Sequence, residues 1–297
     1  MSAALQLAAL ALAAGCSAQS TASIPENSAA AAEAAFAKLT PEIERAQAQW
    51  EQSVEARNVP VDWTVTRGLV LQRRMAGGNR FDGKRIIDVD IEHEEAVRFG
   101  IHSRFSISAW ILAGAPTGAI VARGKDVAGA EGYGLYLQDG RVQLNLVARW
   151  PDDALRVETG RAVELNHWHN VTATFDGSGA AAGRAIYIDG HAQKLKVNRD
   201  SLRSSFETKE PLWIGGGGGP ESRFHGQIRL VRIYNRALRA EEVAVIATET
   251  PVGTLVQLAP DKRTRAESEK IRLCFLERAA PANIREAWQR VVETREK

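Results

Sequence analysis

The chain has 297 residues, 44% of them hydrophobic and 25% charged, which suits a globular protein with one large domain or two small ones. A net charge of +2 leaves no basic stripe of the kind a nucleic acid requires, and two cysteines, Cys16 and Cys274, exclude a disulfide framework. No Cys-x-x-Cys-His run is present, which excludes covalently attached haem within this sequence.

The N-terminal residues read as an export leader. Residues 3–14 form a nearly unbroken apolar run, too short to cross a bilayer and of the length of a signal-peptide core. The run ends in Ala13-Ala14-Gly15-Cys16, similar to a bacterial lipoprotein box, in which the cysteine is acylated and becomes the new N-terminus. Two features depart from that pattern: Leu12 sits one place too early, and no Lys or Arg precedes the apolar run. The expectation is an extracytoplasmic protein, in the periplasm or at the cell surface, that touches a membrane only through a lipid on Cys16. A leader that is cleaved without acylation is the plainer alternative.

Residues 17–33, rich in Ser and Ala without period, read as a flexible tether. Thr40-Pro41 then supplies a capping hydroxyl and a first-turn proline, and Ile43, Ala46, Trp50 and Val54 fall at helical spacing until Asn58-Val59-Pro60. Short strands follow at residues 65–72, 85–89, 105–112, 118–122 and 132–138. Asp139-Gly140 marks a type I′ hairpin turn, because that geometry needs positive φ at both central positions. The return strand, residues 141–148, puts Val142, Leu144, Leu146 and Ala148 on one face. Strands at 169–175 and 185–188 each run into another Asp-Gly turn, and residues 223–234 complete the sheet. Helices are expected at 239–247, 266–279 and 284–292, the last two separated at Ala280-Pro281. In the last one Ile284, Trp288 and Val291 share a face for which the sequence shows no cover, as in one piece of a longer architecture.

Closely spaced strands with turn signals describe an all-β, antiparallel sandwich rather than a βαβ protein. The ordered motifs Phe81-Asp82-Gly83, Phe105-Ser106-Ile107-Ser108-Ala109-Trp110, Tyr133-Gly134-Leu135-Tyr136-Leu137, Trp168-His169, Thr174-Phe175-Asp176-Gly177, Ile186-Tyr187-Ile188-Asp189-Gly190 and Val231-Arg232-Ile233-Tyr234 span about half of the chain. This series resembles the laminin G-like, concanavalin A-like lectin/glucanase jelly roll. Pro116-Thr117-Gly118, Lys209-Glu210-Pro211-Leu212-Trp213 and the tail around Phe275-Leu276-Glu277 are similar to the copy found in large planctomycete-type secreted proteins. The resemblance implies a jelly-roll β-sandwich, placed at residues 62–238. With the readings above, the chain divides into a leader at 1–16, a tether and amphipathic helix at 17–61, the sandwich and a helical flank at 239–297. In the family one or two acidic residues commonly precede Val-Arg-Ile-Tyr. Here Arg229 and Leu230 stand in those places, so no role of those acids carries over.

Several side-chain sets invite chemistry. Asp88, Asp90 and Glu92 alternate as the carboxylates of the glucanase branch do, where a retaining mechanism needs two carboxyl groups about 5–5.5 Å apart. Their position beside the opening motif, running into His93-Glu94-Glu95, reads better as a solvated loop. His167-Trp168-His169 lacks further ligands for zinc and reads as structural. Related jelly rolls bind calcium through loop acids, which makes Asp82, Asp126, Asp152 and Asp153 the candidates for a structural calcium ion. Residues 215–219 are glycines without the Gly-Lys-Ser/Thr of a phosphate loop, and read as a sharp loop able to border a ligand groove.

Sugar recognition needs an aromatic face with polar groups beside it. Trp110, Trp168 and Trp213 lie in strand motifs and read as packing. Trp150 lies between Arg149 and Pro151-Asp152-Asp153, in what reads as a polar connection, and is the platform candidate. Arg149, Arg156, Arg123 and Lys125 would pair with carboxylate or sulfate on an acidic polysaccharide. The preferred expectation is a non-catalytic module that binds carbohydrate or a glycosylated protein. The alternatives are a structural module docking on neighbouring envelope domains through its helical flanks, and a glycoside hydrolase of the same fold.

Overall fold

Alternating apolar and polar residues along short segments build two antiparallel sheets that share one core. The computed structural model describes residues 28–90 and 94–296. In chain order the strands are β1 (Leu69–Asp82), β2 (Ile87–Asp88), β3 (Phe105–Ala113), β4 (Gly118–Arg123), β5 (Gly132–Gln138), β6 (Arg141–Arg149), β7 (Asp153–Ala162), β8 (Trp168–Phe175), β9 (Arg184–Ile188), β10 (His191–Ala192), β11 (Leu195–Asp200), β12 (Leu212–Ile214) and β13 (His225–Tyr234). One sheet has the order β1-β13-β3-β8-β9-β10, the other β11-β7-β6-β5-β4-β12-β2. Residues of opposite parity face opposite sides. Phe105, Ile107, Ala109 and Ile111 of β3 therefore meet Leu135, Leu137, Val142, Leu144 and Leu146 of the other sheet, all buried in one cluster. Phe99 stacks on Phe105 with ring centroids 4.5 Å apart, and Phe175 and Phe206 close around them.

The helices are α1 (Ala29–Lys38), α2 (Thr40–Glu51), α3 (Val54–Arg57), α4 (Ala240–Ile246), α5 (Val252–Leu255), α6 (Arg265–Arg278) and α7 (Ala282–Glu296). The chain divides into two compact units. One is Gln47–Ala279, which takes α3 to α6 in with the sandwich. There Glu242 of α4 accepts two hydrogen bonds of 2.8 Å from Arg236, next to the end of β13. Thr264 caps α6 with a reciprocal Glu267. In the other unit, Met1–Ala46 with Ala280–Lys297, α1 pairs with α7: Phe36 and Trp288 meet at 5.4 Å, and Arg295 bonds Glu33 at 2.6 Å.

Several expectations are corrected. The first strand starts at Leu69 and runs to Asp82, through polar Arg73, Arg74, Asn79 and Arg80, because β13 supplies its partners. Residues 29–33 belong to α1 rather than to a tether. Thr40 caps nothing: α1 ends at Lys38 with only Leu39 between, and the Thr40 hydroxyl donates back to the Ala37 carbonyl at 2.7 Å. The shared face of α7 is covered, with Ile284 and Val291 buried and Trp288 on Phe36. Residues 153–162 are a strand, so the polar connection at Trp150 shrinks to the turn between β6 and β7. The leader and Cys16 lie outside the described residues.

Candidate functional site

The outer face of the second sheet carries a polar groove of about 270 Å³. Cross-strand register assembles it. Ala122, Gly134, Asn145 and Arg156 lie side by side across β4, β5, β6 and β7, and Tyr136 and Gln143 form the adjacent row. All face away from the core, since Leu135, Leu144 and Val157 point inward. Gly134 is required where it is: a Cβ there would stand 2.6 Å from the Tyr136 ring and 2.8 Å from the Ala122 Cβ. The Tyr136 hydroxyl donates to the Gly217 carbonyl at 3.2 Å, joining the floor to the glycine loop, and burial pushes its pKa well up.

Arg156 and Trp150 form the end wall. The guanidinium carbon lies 3.9 Å from the Trp150 ring centroid, within cation–π range, and Arg199 of β11 stands over the same ring at 5.9 Å. Arg156 Nε donates to Asn145 Oδ1 at 3.0 Å. Its terminal nitrogens have no hydrogen-bond partner among the described residues. Burial, helped by Arg199, lowers the Arg156 pKa, and Tyr136 and Glu158 oppose that shift. Trp150 remains 36% exposed, although Gly129 lies against it so closely that a Cβ would meet the indole at 3.0 Å. In the next row Gln143 Nε2 donates to Glu158 at 3.3 Å, and Lys196 pairs with the same carboxylate at 3.2 Å.

The glycine loop is pinned by Asp126, whose Oδ1 accepts from Gly217 N at 2.9 Å and Gly219 N at 3.0 Å, while Oδ2 meets Arg223 at 2.8 Å. Burial raises the Asp126 pKa, but Arg223 and the two amides outweigh it and hold the carboxyl below its usual range. Gly217 and Gly218 border the groove, the role the sequence leaves open for them.

A family profile described as the Concanavalin A-like lectin/glucanases superfamily, Laminin_G_3, matches residues 88–244, more than half of the chain. The chain belongs to this superfamily. Its sandwich is the concanavalin A-like jelly roll that the motif series implies. Similar solved structures include the sialidase CBM40 of Ruminococcus gnavus bound to α2,3-sialyllactose, at 16% identity, TM-score 0.49, covering 60% of this chain and 98% of that one. The binding domain of Paraclostridial Mosquitocidal Protein 1 gives 19% identity, TM-score 0.43, and coverage of 62% and 46%. The SAP-like pentraxin of Limulus polyphemus gives 16%, 0.42, and coverage of 57% and 80%. No curated protein sequence matches the chain.

Within this lectin/glucanase-type sandwich, the residues expected from sequence separate into two groups. Trp150 and Arg156 come together as described. Arg123 also borders the groove, but it is 2% exposed and its Nε donates to the Thr208 carbonyl at 3.2 Å, which makes it a structural cation. Arg149 and Lys125 do not line the groove, and Lys125 stands 3.8 Å from Glu210. Sequence reasoning missed Tyr136, Asn145, Gln143 and Arg199.

The calcium candidates do not assemble, and among the described residues no group of three or more His, Cys, Asp or Glu could hold a metal ion. Asp82 accepts from the Lys84 and Arg85 amides, and Asp153 from those of Arg203 and Ser204, which lowers both pKa values. Asp126 spends both oxygens on the glycine loop and Arg223, and Asp152 is an exposed turn residue. The carboxylate series does not form one strand face: β2 ends at Asp88, Asp90 is exposed beyond it, and Glu92 lies outside the described residues. His169 bonds Asp189 at 2.7 Å, and the other oxygen of Asp189 accepts from Asn170 N, a corner lock rather than a ligand pair. Trp213 donates to the Gly124 carbonyl at 2.8 Å. The departure at Arg229 also has an explanation. Its guanidinium lies between Trp110 and Trp168, 4.5 and 4.3 Å from their centroids, and pairs with Glu249.

Proposed function

We propose that this protein is a non-catalytic carbohydrate-binding module and that its groove takes an acidic sugar, stacked near Trp150 with its anionic group on Arg156. The observation that carries this reading is the partly exposed Trp150 face joined to a guanidinium whose terminal nitrogens have no protein partner. Tyr136, Gln143, Asn145 and Ser222 add hydrogen-bonding groups, and no carboxylate is found among the described residues lining the groove. That combination favours a ligand bearing negative charge over a neutral one. Glycosidic hydrolysis would need two carboxyl groups facing the bound sugar.

The test is a glycan array followed by titration calorimetry with wild type, Trp150→Ala and Arg156→Ala. Wild type is expected to retain acidic oligosaccharides in preference to neutral ones, and each variant to bind at least several-fold more weakly with a nearly unchanged melting temperature. A wild type that binds no glycan, or variants that bind as wild type does, would sink the reading. We further propose that the protein works outside the cytoplasm, on the strength of residues 3–16 alone. Labelled palmitate should enter the membrane-bound wild type and not Cys16→Ser. A cytoplasmic product retaining Met1 would refute export.

A further inference from the structure

A second cavity, of about 220 Å³, lies on the outer face of the other sheet, between β13 and β3 on one side and α4 and α6 on the other. Its chemistry is unlike that of the groove. Arg232 of β13 is 6% exposed, and Lys270 of α6 is 4% exposed. Arg232 Nε donates to Gln72 at 2.8 Å, and among the described residues its two terminal nitrogens have no hydrogen-bond or ion-pair partner. Lys270 Nζ donates to the Thr248 and Thr250 carbonyls at 2.7 and 3.0 Å, which neutralises no charge and leaves a third proton. Arg74 is a third cation on the lining, against the carboxylates of Asp62 and Glu249, and Glu249 is already paired with Arg229.

Two cations buried side by side without a carboxylate partner are costly unless something negative compensates them. We propose that this cavity is an anion site that takes one small free oxyanion, such as phosphate or sulfate, between Arg232 and Lys270. The fork of Arg232 suits two oxygens of a tetrahedral anion, and the ammonium of Lys270 acts as a point charge on a third. Trp110 forms an apolar wall, and the cavity is large enough for an ion of this size together with ordered water.

The test is thermal unfolding of the full chain at neutral pH, with inorganic phosphate titrated against sodium chloride at constant ionic strength, and sulfate and acetate as parallel arms. Wild type should show a saturable rise in melting temperature, about 3 °C when phosphate stands at about ten times its Kd. Arg232→Gln should lose the rise, and Arg156→Ala, which removes the Trp150-stacked cation of the groove, should keep it. Should Arg232→Gln fail to fold, Arg74→Ala reads the same titration at an exposed position, where half-saturation is expected to move several-fold upward. No saturable rise in wild type, a rise that persists in Arg232→Gln, or an unmoved half-saturation in Arg74→Ala would overturn the proposal. A rise lost in Arg156→Ala would place the ion in the groove and overturn it equally. Failure of glycan binding leaves all of these results interpretable, because none of the measurements uses a sugar.

Discussion

The two outer faces of the sandwich use the same pairing, arginine on tryptophan, to opposite ends. On one sheet Arg156 lies over Trp150, and the pair borders an open groove with more than a third of the indole in contact with solvent. On the other, Arg229 is held between Trp110 and Trp168 and pairs with Glu249, and Trp110 is 9% exposed against residues of α4 and α6. A cation–π contact contributes about 0.5–1 kcal/mol at an exposed site and about 2 kcal/mol when desolvated. The motif alone therefore does not distinguish a binding surface from a packing element. What distinguishes them is cover: residues of α4 and α6 close over Trp110, while Trp150 borders an open groove.

Removing the cover is expected to have the largest effect. Glu242 is 6% exposed and holds Arg236 through two hydrogen bonds, so Glu242→Ala leaves a buried guanidinium without its main counter-charge. Breaking a buried pair on one side costs about 3–5 kcal/mol. Chemical denaturation should register that loss, and a loss below about 1 kcal/mol would show that the helices are not locked to the sandwich by this pair. Trp110→Ala comes next. It should destabilise by about 3 kcal/mol as a core truncation, whereas Trp150→Ala should cost less than about 1 kcal/mol as a surface change. Equal losses at the two positions would erase the contrast drawn between the two faces.

The motif-bearing parts of the sandwich were legible in the sequence because each is local. Residues 132–149 alternate cleanly and pivot on Asp139-Gly140, whose φ values of 51° and 74° are those the hairpin turn demands. β7 was not legible although Leu155 and Val157 alternate with Arg156 and Glu158, because those two are the only large apolar residues of the strand and Trp150-Pro151 reads as the start of a loop. β12 has only three residues, too few for a period. The groove was half legible. Trp150 and Arg156 stand out by residue type, but only the register of four strands brings Gly134 and Asn145 beside Arg156. Arg123 and Lys125, neighbours of the same sort on paper, part company in the fold: Arg123 ends β4 as a buried groove-edge cation bonded to Thr208, and the turn that follows carries Lys125 off the lining.

Acidity offers a finer probe of the covered face. Burial and Arg232 push the Lys270 pKa down to about 8, against the pull of Cys274 and Glu249, while Arg74 and Asp62 face the same cavity. Because the folded value lies below the ordinary 10.5, the unfolded chain binds more protons between about 8 and 10.5. Stability without added anion should therefore rise with pH across that window. Stabilisation by phosphate should move the other way and fade as pH climbs through about 8. Melting curves across this range with and without phosphate would show the divergence, and parallel curves would count against Lys270 as a contact for the ion. The smallest expected effect lies on the open face. A double-mutant cycle of Trp150→Ala with Arg156→Ala should return a coupling of about 0.5–1 kcal/mol in stability. A value near zero would mean that the stacked geometry contributes nothing without a ligand.

Asp126 carries a thermodynamic consequence for whatever enters the groove. Five consecutive glycines would ordinarily sample many backbone states, and a ligand that had to freeze them would lose affinity in proportion. One carboxylate, bridging two of their amides and Arg223, has already narrowed that ensemble before any encounter. Asp126→Ala should therefore show itself calorimetrically, as a more unfavourable binding entropy and a slower capture of ligand, even where the bound state is unchanged.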